Sequence, residues 1–258
     1  MGRTRVRKGI KNIRKTRKQY RGGSRAALPI VCQCSSKCTN PVIKGQTFCT
    51  YHEQHGCPIK SPLTGYEPKY SPGDYNNDKA IQYSHNCFAY SMDVRDLKRI
   101  ESCRKTKDCH FHVPGKTKNH PDFSGKMGKT CGDIIGRTMA DVPKGYLTDF
   151  TSKCEPGFSK IGMVADEEND LHYYRQDDNG DWSHKPGGRP VTNKDAVGSK
   201  IYRPDLASRY YPSETPENAG LNYDSFCSYM CVPRKGNSQV NPIQIAGRRL
   251  KATRKKYY

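Results

Sequence analysis

Leu171-His172-Tyr173-Tyr174-Arg175-Gln176 runs into Asp177-Asp178-Asn179-Gly180 and then into Asp181-Trp182-Ser183-His184-Lys185, and this stretch decides the fold. Two β-prone runs flank an Asn-Gly pair, whose residues accept the backbone angles of a tight turn, so the stretch predicts a hairpin. Ahead of it, Phe158 to Ala165 is apolar and β-prone through Ile161, Met163 and Val164. Behind it, residues 186–220 are Gly/Pro-rich loop, and Phe226 to Val232 reads as a last aromatic, Cys-rich strand. Helical signals lie upstream. Asn86 suits the N-cap of a helix starting at Cys87, with Phe88, Tyr90, Val94, Leu97 and Ile100 at partly helical spacing. Thr130 and Asp133 form a capping box for a second helix over about 131–141, and polar residues 103–129 read as loop. Helices first and antiparallel sheet second predict an α+β domain over 81–233.

The flanks are of a different kind. Residues 1–25 carry eleven Arg and Lys and no acid, and residues 248–258 carry six and no acid. These seventeen charges are most of the net +20, so the body between them is nearly neutral. Residues 1–30 and 234–258 therefore read as basic, disorder-prone arms that bind polyanions by releasing counterions, which points to nucleic acid or an acidic protein surface. A solubilising or nuclear-import tail is the plainer alternative. Hydrophobic content is 33% and the mean hydropathy is −0.94, low for a chain of this length. No run approaches a membrane span, and the first residues lack the apolar core of a secretory signal. The expectation is synthesis in the cytoplasm without secretion, which disfavours disulfides for the twelve cysteines.

Residues 31–57 hold a dense Cys/His patch: Cys32, Cys34, Cys38, Cys49 and His52, with His55 and Cys57 close by. Cys34/Cys38 and Cys49/His52 supply two close ligand pairs for a structural tetrahedral zinc ion, and Cys32 or Cys57 could replace one of them. The segment is too short and polar to fold on an apolar core, so metal would supply its folding energy. Residues 58–80, rich in Pro, Gly, Asn and Tyr, read as an extended linker. Cys103, Cys109, His110, His112 and His120 lie in the 103–129 loop at irregular spacing, where exposed side chains are the default reading. Cys227 and Cys231, at even spacing on one strand, read as buried thiols sharing a face.

Cys87 opens its helix, where free N–H groups and the helix dipole favour a thiolate. Asn-Cys-Phe-Ala-Tyr, followed by Leu-His-Tyr-Tyr-Arg-Gln and Asn-Gly-Asp-Trp-Ser-His-Lys-Pro-Gly, resembles papain-like cysteine hydrolases of the broad NlpC type, found in bacteria and in large nucleocytoplasmic DNA viruses. The Cys/His patch resembles the short zinc knuckles frequent in proteins of such viruses. The resemblance implies Cys87 as nucleophile and His172 as general base, in a peptidase or amidase working through a thioester. It offers His184 as the group that orients His172, with Asn193 and Asp181 as other candidates, and Gln82 with the Cys87 N–H as oxyanion donors. It also implies a virion-associated protein anchored by its arms to capsid proteins or nucleic acid. The rival readings are a non-catalytic minor capsid or core protein on the same fold, and a nucleic-acid-binding protein in which zinc and arms do all the work.

Overall fold

The structure, a computed structural model, describes residues 29–234 except 108, 122, 124–128, 168 and 213–219. Both basic arms lie almost wholly outside the described residues. Among the described residues, six α-helices precede seven strands: α1 Thr50–His55, α2 Gly73–Asn76, α3 Lys79–Ser84, α4 Cys87–Ser91, α5 Leu97–Thr106 and α6 Cys131–Asp141, then β1 Tyr146–Thr148, β2 Phe158–Asp166, β3 Asp170–Gln176, β4 Trp182–His184, β5 Tyr210–Tyr211, β6 Leu221–Asn222 and β7 Ser225–Pro233. Among the described residues, five strands form an antiparallel sheet in the order β1-β7-β2-β3-β4, and β5 and β6 form a separate ribbon. The class is α+β, as expected.

The predicted hairpin forms where Asn179-Gly180 stands. Gly180 takes φ +87°, and Gln176 pairs with Trp182 across the turn. The α6 cap also matches: the Asp133 amide donates to the Thr130 hydroxyl at 3.2 Å. The helix expected from Cys87 onward is instead two helices. Asp93 adopts φ +54°, which stops α4, and Asp96 restarts the chain by accepting from the Lys98 and Arg99 amides. Residues 58–80 are not the extended linker of the sequence reading. They contain α2 and the start of α3, they bury Tyr75, and Ser61 exchanges hydrogen bonds with Gln176 on β3.

Alternation along β3 divides the core. Leu171 and Tyr173 pack with Ile161, Met163, Met230, Val232, Phe88 and Ile134 under α4 and α6. Tyr174 packs on the other side with Val164, Trp182, Tyr223 and Tyr229.

The cysteine reading needs the largest correction. Eight of the twelve cysteines form disulfides: Cys34–Cys57, Cys103–Cys109, Cys131–Cys227 and Cys154–Cys231. Cys103 lies on α5 rather than in a loop. Cys227 and Cys231 are neither thiols nor on one face. The register of β7 against β2 slips between Met163 and Val164, leaving Cys227 as an extra residue opposite their junction. That bulge turns Cys227 toward the α4/α6 side, where it meets Cys131, while Cys231 joins Cys154.

Candidate functional site

β3 and β4 place His172 and His184 side by side. Tyr174 pairs with His184, so side-chain alternation puts His172 and His184 on one face two residues apart in register. His172 Nε2 lies 2.7 Å from His184 Nδ1, and His184 Nε2 lies 2.9 Å from the Lys194 carbonyl oxygen. A carbonyl only accepts, so His184 Nε2 carries a proton. In a neutral ring His184 Nδ1 must then accept, so His172 Nε2 is the donor and His172 Nδ1 holds the free lone pair. Both rings are held neutral. Burial, reinforced by His184, pushes His172 well below the usual histidine range, and burial lowers His184 to about 4.

Of the candidates for orienting His172, His184 makes the contact. Asp181 pairs instead with Lys200 at 2.6 Å, and the Asn193 carbonyl accepts from the Ile201 amide. Gln82 is committed elsewhere: its amide nitrogen donates to the Gly188 carbonyl at 2.8 Å and its amide oxygen accepts from Lys79.

Cys87 opens α4, and Asn86 caps that helix by accepting from the Ala89 amide at 3.2 Å. The thiol is buried among Phe88, Leu171 and Tyr173, and among the described residues no hydrogen bond joins it to either histidine. Asp170 and Lys185 act on its charge, the Tyr173 amide hydrogen-bonds toward its sulfur, and Tyr174 and Tyr223 feel it in turn. Burial pushes the thiol up to about 12, with Asp170 adding to the rise and the Tyr173 and Phe88 amides opposing it. The thiolate expected at the helix start is not preformed, because α4 has only five residues and burial outweighs so short a dipole. Lys185, lowered to about 8 by burial, donates to the Gln82 and Gly187 carbonyls at 2.6 Å each.

A cavity of about 710 Å³ opens on the histidine pair. His172, His184, Asp170, Arg189, Tyr211 and Tyr223 line it, together with Gly187 and Gly188; Cys87 is not among its lining residues. Asp170 accepts from the Tyr223 hydroxyl at 2.8 Å, and burial raises its carboxyl.

The Cys/His patch gathers four ligand atoms within 4.8 Å of one another: those of Cys32, Cys38, Cys49 and His52. Three of the expected ligands are present, but Cys34 is not, because its sulfur is bonded to Cys57. Cys32 takes its place. The group could hold a metal ion. The second Cys/His set does not gather: Cys103 and Cys109 are joined to each other, and His112 is buried beside His85. No described helix is long and apolar enough to cross a membrane.

One relative is a shell protein. Insoluble matrix shell protein 1 of Ruditapes philippinarum is 27% identical over 142 residues, covering 55% of this chain and 81% of that protein. No model of a known protein family matches the chain, and no solved structure matches it.

Proposed function

We propose that the 81–233 domain is a papain-like thiol hydrolase in which Cys87 attacks an amide carbonyl, His172 is the general base and His184 orients His172. The observation that carries this reading is the relay from the Lys194 carbonyl through His184 to His172. It fixes both tautomers and leaves one basic nitrogen, His172 Nδ1, without an assigned partner beside a cavity. A base oriented by a third group is what a thiol nucleophile requires. The resting pair is neutral thiol and neutral imidazole. Cys87 packs with Leu171 and Tyr173 on the α4 side of β3, while His172 lies with Tyr174 on the other. This reading therefore requires the thiol to come within reach of His172 Nδ1 when substrate binds. Proton transfer from Cys87 Sγ to His172 Nδ1 then accompanies attack, an acyl-thioester forms as the amine leaves with a proton from His172, and water releases the acid. The Cys/His group serves in this reading as a structural zinc site, and the basic arms tether the enzyme to a polyanionic or acidic partner such as a virion core.

Iodoacetamide alkylation of Cys87, followed by peptide mass spectrometry across pH, tests the base. His172 stays neutral well below pH 6.5, so Cys87 in the native chain should keep reacting below pH 6. His172→Ala should slow that reaction about 10²-fold, the usual worth of a positioned general base. Equal rates in the two proteins, or a Cys87 as slow as an ordinary thiol, would remove the hydrolase reading.

A second reading has its own observation. The relative covered over 81% of its length is a shell matrix protein, which favours a non-catalytic structural component stapled by disulfides. Inert Cys87 in the same experiment would favour it.

A further inference from the structure

The metal-ligand group and the histidine relay are joined through one loop. Gln33 sits between Cys32 and Cys34 and is buried. Its amide nitrogen donates to the Asp195 carboxylate and the Lys200 carbonyl, each at 3.3 Å. Its amide oxygen accepts from the Tyr202 amide at 2.7 Å and the Arg203 amide at 3.1 Å. Thr47, two residues before Cys49, donates its hydroxyl to the same Lys200 carbonyl at 2.9 Å. Lys200 is bridged to Lys194, whose carbonyl accepts from His184. Asp195 closes the loop by accepting from the Val197, Ser199 and Ser208 amides. The backbone that sets the His184 tautomer is therefore held from outside by the two ends of the Cys/His patch.

Beyond the Cys34–Cys57 disulfide, the patch has little else to hold it. Its core consists of cysteines with Val42, Phe48, Ile59 and Tyr202 around them, and α1 buries no residue. Four of the six distances among its ligand atoms are close to tetrahedral edges, and all six lie within 4.8 Å. Cys38 Sγ to Cys49 Sγ is 3.7 Å, and His52 Nδ1 lies 3.3, 3.7 and 3.2 Å from the sulfurs of Cys32, Cys38 and Cys49. Zinc bonds of about 2.3 Å to sulfur and about 2.0–2.1 Å to nitrogen give tetrahedral edges of about 3.8 Å and about 3.5 Å. Three thiolates and one imidazole close the coordination sphere, so such an ion is structural.

We infer that Cys32, Cys38, Cys49 and His52 bind one zinc ion that braces the 193–203 loop through Gln33 and Thr47, and thereby holds His184 in the tautomer that orients His172. Gln33 is on this account a positioning residue, acting on His172 only through Lys194 and His184. The catalytic consequence rests on the hydrolase reading; the metal and the brace do not.

The test uses the full chain and three readouts: zinc per chain by elemental analysis, the His184 imidazole signals by ¹⁵N NMR, and Cys87 alkylation by iodoacetamide. One zinc per chain is expected, falling to a small fraction in Cys38→Ser. Chelation should broaden or shift the His184 Nε2–H signal and slow alkylation about tenfold, with both restored by added zinc. Gln33→Ala should do the same while keeping its zinc, which separates the brace from metal loss. A chain that neither carries nor takes up zinc overturns the proposal. So does a zinc-loaded chain whose His184 signals are unchanged by chelation and by Gln33→Ala. If the His184 signals respond but Cys87 is inert in every sample, the brace stands and the hydrolase reading falls.

Discussion

At the scale of single residues, the interior is unusual for the polar groups it buries. His85, His112, His172 and His184 are all at least nine-tenths buried, and each is held neutral chiefly by burial. His85 and His184 fall to about 4 and His112 to about 3. The sign follows from proton uptake. In the unfolded chain each histidine titrates near 6.5, so below that pH the unfolded state binds more protons and the folded state loses stability. The loss begins as pH falls through about 6.5 and continues to the folded values, at about 1.4 kcal/mol per pH unit for each histidine. Asp177, raised to about 6 by burial, works the other way: when folded it takes up its proton first, which adds stability as pH falls from about 6 toward 4. Asp170 and Asp195, also raised by burial, act as Asp177 does. Asp78, Glu101 and Asp149, held below the usual carboxylate range by their hydrogen-bond partners, add to the loss at lower pH. Three raised carboxyls against four imidazoles leave a net loss. Urea midpoints should therefore fall steeply between pH 6.5 and 4.5, and His112→Gln should flatten that slope by about one proton. A midpoint independent of pH over that range would contradict the buried neutral histidines.

At the scale of elements, the legible parts of the sequence were those whose signals are local. Asn179-Gly180 sets the β3–β4 turn, Thr130 caps α6, and the alternation of β3 and β4 places His184 where it can meet His172. What was not legible depended on a single residue acting at long range. The bulge at Cys227 reverses which face that cysteine serves, and even spacing in sequence carries no trace of it. Cys34 and Cys32 are near-equivalent by spacing, and only the distant Cys57 decides that one is a disulfide partner and the other is free to bind metal. The expectation of a cytoplasmic protein disfavours disulfides, yet two of them close loops of 96 and 77 residues onto β7. By chain entropy a loop of that length is worth about 4 kcal/mol, and β7 is paired to both β1 and β2. Replacing Cys131 and Cys227 by Ser should lower the melting temperature by roughly 10 °C, given a few degrees per kcal/mol for a domain of this size. Cys103→Ser with Cys109→Ser removes a loop of only six residues and should cost distinctly less. Equal losses for the two pairs would show that chain entropy does not govern this framework.

At the scale of the whole molecule, positive charge is concentrated at the two ends of the sequence. The seventeen basic residues at the two ends stand outside a body that is nearly neutral, so binding to a polyanion should depend on the arms and hardly on the domain. Counterion release makes this quantitative: each phosphate neutralised on duplex DNA adds about 0.9 to the slope of log affinity against log salt. If six or more of the arm residues engage phosphates, affinity should drop about 10³-fold between 50 and 200 mM salt. Deleting residues 1–28 removes eleven of the seventeen charges and should cut the slope by more than half, and deleting 248–258 should remove most of the rest. Cys87→Ala should leave the slope untouched. A titration by fluorescence anisotropy with a short duplex, repeated at four salt concentrations, decides it. Tight binding with little salt dependence, or a slope that survives loss of both arms, would place the anion site on the folded body and would make the arms contacts for protein instead.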